Sequence, residues 1–124
     1  MSALAVSKVL AFKPGEGITT AGSIPEDGEF FKDHFPDFPI LPGVLAVELL
    51  KQSAECYLNG GVLEPGRRQL LKQVRDVKFC SYLKPGAEWE AELTLTHEEA
   101  GESNWRAKLF HAGRLACSAR FILS

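Results

Sequence analysis

The sequence predicts an α+β fold in which one long central helix is wrapped by a curved antiparallel sheet. Residues 43 to 58 include Leu45, Ala46, Val47, Leu49, Leu50 and Ala54, a helix apolar around most of its circumference. Such a helix needs covering on most sides. From Ala87 onward, Ala87, Trp89, Ala91, Leu93 and Leu95 alternate with Glu88, Glu90, Glu92, Thr94 and Thr96. That period of two marks a strand with one buried and one solvated face. Turn signals separate four or five further runs of β character, and the later ones read as antiparallel neighbours.

The elements follow in chain order. Residues 4 to 12 read as a first strand, and Lys13-Pro14-Gly15-Glu16-Gly17 as a turn. Residues 18 to 23 resume the extended pattern, and Pro25-Glu26-Asp27-Gly28 is a polar loop. Pro36, Pro39 and Pro42 disfavour helix at the residue before each, so 34 to 41 reads as extended or irregular. Proline suits a helix start, because its missing N–H would have no partner there. The helix therefore begins at Pro42 and stops at Asn59-Gly60-Gly61. Leu70 to Cys80 is a strand, and Lys84-Pro85-Gly86 a turn. Glu98 to Ser103 reads as turn-like. Trp105 to Phe110 and Leu115 to Leu123 form a hairpin around His111-Ala112-Gly113-Arg114.

Length and composition point to one domain, residues 1–124. Hydrophobic residues make up 45% and charged residues 24%, with a net charge of −2. That balance carries no footprint of nucleic acid or an anionic membrane, and no basic groove with interleaved aromatics is present. Cys56, Cys80 and Cys117 are odd in number, widely spaced and form no CxxC pair. They suggest neither a disulfide framework nor a zinc site, but reduced, buried thiols in a cytoplasmic protein. The N-terminal stretch lacks a signal peptide's apolar core, and no run is long enough to span a membrane.

Three residues near the helix start carry the candidate chemistry. His34 lies before the proline-stiffened loop among Phe30, Phe31, Phe35 and Phe38, a setting for a base in an apolar cleft. Against this stands an ordinary surface-loop histidine with no role. His97 and His111 read as strand-end and turn residues. Gly43 at the helix N-terminus leaves its backbone N–H open to an oxyanion, although a glycine that merely eases the turn is commoner. Glu48 falls on one polar stripe with Lys51, Gln52 and Glu55. A solvated face with a Glu48–Lys51 pair explains that stripe without function. Glu48 serves as an acid only where another subunit covers it. Arg67, Arg68, Lys72, Arg75 and Lys78 follow the helix and suit an acidic partner or a phosphate, or equally a charge-guarded strand edge.

The run His34-Phe35-Pro36-Asp37-Phe38-Pro39-Ile40-Leu41-Pro42-Gly43-Val44, followed by Glu48 and Gln52, resembles the active-site signature of the 3-hydroxyacyl-acyl-carrier-protein dehydratases. The family keeps its carboxylate the same fourteen residues beyond the histidine. Glu29-Phe30-Phe31-Lys32-Asp33, Val77-Lys78-Phe79 and Lys84-Pro85-Gly86 resemble further family segments, so the likeness runs from about Val9 to Phe121. It implies a hot-dog fold and a homodimer, or a higher oligomer, with active sites shared between subunits. The implied reaction is loss of water from a 3-hydroxyacyl thioester on an acyl carrier protein, in fatty-acid or related biosynthesis. His34 and Glu48 would be catalytic, Gly43 and Val44 would hold the thioester oxygen, and Gln52 would orient Glu48. No metal or redox cofactor is implied beyond the substrate's phosphopantetheine arm. Asp37 stands where the family has glycine, and Lys51 where it has a small apolar residue. The rival readings are a hot-dog thioesterase and a non-catalytic partner subunit of a dehydratase.

Overall fold

The computed structural model describes residues 4–26, 41–63 and 68–124. Among these, six strands and one α-helix follow one another as β1 (Lys8–Lys13), β2 (Gly17–Ser23), α1 (Gly43–Leu58), β3 (Leu71–Phe79), β4 (Glu88–Glu99), β5 (Glu102–His111) and β6 (Arg114–Leu123). The strands form one sheet in the order β1-β2-β4-β5-β6-β3, with every neighbouring pair antiparallel. After β2 the chain passes through α1 and re-enters at the far edge, which leaves β1 and β3 as the two edge strands.

Helix α1 has the bounds its sequence predicts, and its ends have identifiable causes. Pro42, at φ −57 and ψ 140, is the N-cap residue and supplies no side-chain cap. At the other end Gly61 N–H donates to Cys56 O at 2.8 Å and Gly60 N–H to Tyr57 O at 3.0 Å. With both glycines at positive φ, this is the Schellman arrangement that satisfies the last carbonyls.

The inner face of the sheet packs on α1. Leu49, Leu50 and Ala54 of the helix are fully buried, together with Ala91, Trp105, Ala107 and Leu109 of β4 and β5. Truncating either leucine to alanine removes contacts worth about 2–5 kcal/mol in such a core. Polar detail fixes the helix's position over the sheet. Ser53 Oγ donates to Leu49 O at 2.9 Å, and the buried Thr20 hydroxyl of β2 donates to Ser53 Oγ at 2.7 Å. Tyr57 packs edge-on against Trp105 at 5.1 Å and Phe12 at 5.2 Å, while its hydroxyl accepts from Gly15 N–H.

The structure changes three sequence expectations. First, the extended segment ahead of β1 joins the sheet only from Lys8 onward. Second, residues 98 to 103 are not a broad turn. β4 and β5 stay paired through Glu98↔Ser103 and Glu99↔Glu102, and only Ala100 and Gly101 turn. Both have positive φ, the two-residue hairpin geometry that matches sheet twist, and Ala112-Gly113 repeats it. Third, Cys80 is exposed, whereas Cys56 and Cys117 are buried as expected.

Candidate active site

The N-terminus of α1 opens onto an apolar cavity of about 270 Å³, lined by Pro42, Gly43, Ala46, Phe79, Tyr82 and Cys117 among others. The first turn carries no acidic residue and no side-chain cap. Leu45 and Ala46 N–H both reach Pro42 O, but Gly43 and Val44 N–H meet no acceptor among the described residues. The opening turn of any helix leaves such donors, and the helix dipole adds positive potential to them. An apolar slot ending at uncompensated backbone donors suits a ligand with an apolar chain and a carbonyl oxygen.

Phe79 lies directly against this helix start. A Cβ added at Gly43 would fall 2.5 Å from the Phe79 ring, so glycine is what lets the ring approach. Phe79 and Tyr82 are nevertheless 54% and 65% exposed, and Val44 is 75% exposed on the same end of the helix. Sequence reading did not place Phe79 and Tyr82 at the site. They lie more than thirty residues beyond Gly43, and only the pairing of β3 with β6 brings them there. No local pattern carries that information.

Glu48 sits one helical turn further along, half-buried, with Arg68 Nη2 3.9 Å from its Oε1. Arg68 is largely exposed, so the contact contributes little. The expected Glu48–Lys51 pair does not form. Lys51 is only 9% exposed and donates instead to Glu55 Oε2 at 3.2 Å, which also accepts from Gln69 N–H at 2.8 Å. Glu55 thereby ties the helix to the segment entering β3. Half of the predicted solvated stripe is thus a buried brace.

Gln52 is engaged elsewhere than Glu48. Its Nε2 donates to Leu4 O at 3.2 Å and its Oε1 accepts from Val6 N–H at 3.3 Å. One amide side chain therefore holds the N-terminal segment on α1 as a strand neighbour would. The amide keeps a second N–H and a second lone pair beyond these two bonds.

His34, Asp37 and the stretch from 27 to 40 lie outside the described residues, as does Arg67. The other two histidines have scaffold partners. His97 Nε2 lies 3.1 Å from Glu99 Oε2, and His111 Nδ1–H donates to Glu88 O at 2.6 Å. Burial, with Cys80 nearby as a smaller contribution, pushes the Cys117 thiol up to about 11. Burial also raises Cys56, followed by the Glu55 charge. Among the described residues no cluster of His, Cys, Asp or Glu is placed to hold a metal, and no helix is long and apolar enough to cross a membrane.

Residues 12–119 match the family model for ApeI-like proteins, described as ApeI dehydratase. The chain belongs to the ApeI-like dehydratase family. It is 26% identical over 121 residues to the 3-hydroxyacyl-(acyl-carrier-protein) dehydratase FabZ of Listeria monocytogenes serotype 4b, covering 98% of this chain and 84% of that protein. The FabZ of Pectobacterium atrosepticum is 30% identical over 118 residues, covering 94% and 78%. Among solved structures, the dehydratase heterocomplex ApeI:P from Xenorhabdus doucetiae superposes with a TM-score of 0.74 at 14% identity, covering 95% of this chain and 80% of that one. The thioesterase HI1161 from Haemophilus influenzae superposes at 0.64 with 16% identity, covering 94% and 75%. One helix laid on a six-stranded antiparallel sheet, with these neighbours, is the hot-dog fold.

Proposed function

We propose that this dehydratase-family chain removes water from a 3-hydroxyacyl thioester held on the phosphopantetheine arm of an acyl carrier protein, in cytoplasmic fatty-acid or related acyl-chain synthesis. The supporting observation is the apolar cavity that ends at the uncapped start of α1. The acyl chain would occupy the cavity. The thioester oxygen would meet Gly43 N–H, with Val44 N–H beside it, as charge builds there. His34 would take the C2 proton, and Glu48 would give a proton to the departing hydroxyl, so that water leaves and a C2–C3 double bond forms. None of these steps requires a metal or a redox cofactor.

In a single chain Glu48 retains 32% side-chain exposure, too open for a carboxyl acid held in a dry site. The proposal therefore includes a homodimer whose second subunit covers Glu48, Val44 and Phe79. Edge strand β3, with Val77 and Phe79 exposed, offers the surface for it. The Xenorhabdus structure is named as a heterocomplex, so a second, different chain is the alternative occupant of that edge.

The test is a carrier-bound 3-hydroxybutyryl substrate and the ultraviolet absorbance of the enoyl product. His34→Ala and Glu48→Gln should each lower the rate roughly a hundredfold or more, the scale of losing a general acid or base. An active Glu48→Gln protein would remove the acid from the scheme. Release of free thiol instead of enoyl product would make the chain a thioesterase.

A further inference from the structure

The outer face of the sheet, opposite α1, carries a row of arginines. Arg106 of β5 lies between buried Trp105 and Ala107, and Arg120 of β6 between buried Ala119 and Phe121. Strand alternation therefore points both away from the helix. Arg106 stands directly across from Arg120, and Arg120 directly across from Arg75 of β3. Three cationic residues thus occupy one line across adjacent strands, whose backbones are spaced by about 4.8 Å. Like charges in direct cross-strand register destabilise a sheet, so the row calls for a neutralising partner.

The chain itself supplies little neutralisation. A bulge in β3 falls between Arg75 and Lys78, and within it Asp76 takes a φ of 55. The bulge brings Asp76 Oδ2 to 3.8 Å from Arg120 Nε. Among the described residues, Arg75 and Arg106 make no ion pair. Nearby Lys72 and Glu102 pair with each other and cancel. Beside the row opens a cavity of about 100 Å³ whose polar lining is Arg75, Arg106, Arg120, Gln73, Thr96 and Asn104, with Trp105, Phe121 and Ile122 completing it. At about 30 Å³ per water, it has room for roughly three waters or one tetrahedral oxyanion. Guanidinium groups only donate, and the Gln73 and Asn104 amides add further donors.

We propose that this cavity is a binding site for a phosphate-class oxyanion, on the far side of the sheet from α1 and independent of the dehydratase reading. Arginine forks match tetrahedral oxyanions in geometry and charge. Such an ion would lie against all three strands at once.

The experiment titrates inorganic phosphate into the full chain by calorimetry, with ionic strength held constant by chloride. The expected result is saturable binding at one site per chain, weakened roughly tenfold by Arg106→Gln and by Arg120→Gln. Arg106→Gln should also raise the melting temperature in phosphate-free buffer, because it removes a like-charge neighbour without touching the Asp76 contact. A parallel titration with phosphopantetheine distinguishes the source. Equal affinity points to free phosphate and tighter affinity to a phosphorylated small molecule, and either supports the site. Non-saturating heat, or the same affinity in Arg106→Gln, would overturn it. So would phosphate-dependent dissociation of an oligomer in place of binding, which would assign the row to Glu88, Glu90 and Glu92 of a second copy.

Discussion

Gly43 has two duties that a substitution separates. Its N–H is one of the open donors at the start of α1, and its missing side chain admits the Phe79 ring. An alanine there keeps the donor but meets the tip of the half-exposed ring, which must turn aside, at a cost of about 1 kcal/mol, the low end for overpacking. Gly43→Ala should therefore lower the melting temperature by several degrees and slow dehydration. Adding Phe79→Ala should return much of the stability, because the clash is gone. If the double variant melts as low as Gly43→Ala alone, the ring contact is not what glycine serves. The thiols give a second residue-scale expectation. Cys117 titrates higher folded than unfolded, so its proton is lost from the unfolded chain first. Its contribution to stability is complete below pH 9 and declines as pH rises toward about 11. Melting temperature should fall across that window less steeply in Cys117→Ala than in the parent chain. At pH 8 an alkylating reagent should mark exposed Cys80 before Cys117, read by peptide mass spectrometry. Equal marking of the two would reject the protected thiol.

At the scale of elements, the join between α1 and the sheet rests on one buried hydroxyl pair. The Ser53 proton goes to Leu49 O, so Thr20 must donate to Ser53. Ser53→Ala leaves the Thr20 hydroxyl buried without an acceptor and should cost about 1–3 kcal/mol. Thr20→Val should cost less, since Ser53 keeps its bond to Leu49. The double variant, apolar on both sides, should be nearer the parent than the two single losses added together. Urea unfolding of all four proteins measures this, and simple additivity would mean that the hydroxyls do not act as a pair. The elements themselves were largely legible in the sequence. Pro42 and Asn59-Gly60-Gly61 mark the ends of α1, and the alternation from Ala87 marks the buried face of β4. The ends of β4 and β5 were not legible. Glu98, Glu99 and Glu102 look like loop residues, but they are held by backbone pairing that is indifferent to side chain. The polar stripe on α1 misled for a related reason. Periodicity shows which residues share a face, but not that Glu55 would draw Lys51 inward and bind the segment ahead of β3. The Gln52 clamp on Leu4 and Val6 was equally invisible, because it joins residues more than forty positions apart.

For the whole molecule, the proposed reaction stands or falls with what covers edge strand β3 and the start of α1. Local patterns named Gly43 and Glu48, but they could not show that a single chain leaves Val44, Phe79 and Tyr82 open around them. An edge strand with unpaired backbone groups and exposed Val77 and Phe79 is a template for another strand. If two copies pair there, Val77 faces the junction while remaining clear of the Gly43 cavity, so a charge at 77 tests assembly without altering the slot itself. Val77→Lys should convert a dimer into monomers in sedimentation equilibrium. It should also abolish dehydration while the far-ultraviolet circular dichroism stays that of the parent, because an exposed edge position contributes little to the chain's own core. Activity should return when the variant is mixed with a partner bearing Val77→Glu, since opposite charges across the edge restore pairing. A Val77→Lys protein that is monomeric yet fully active would show that one chain completes its own site, and the shared-site arrangement would have to be abandoned.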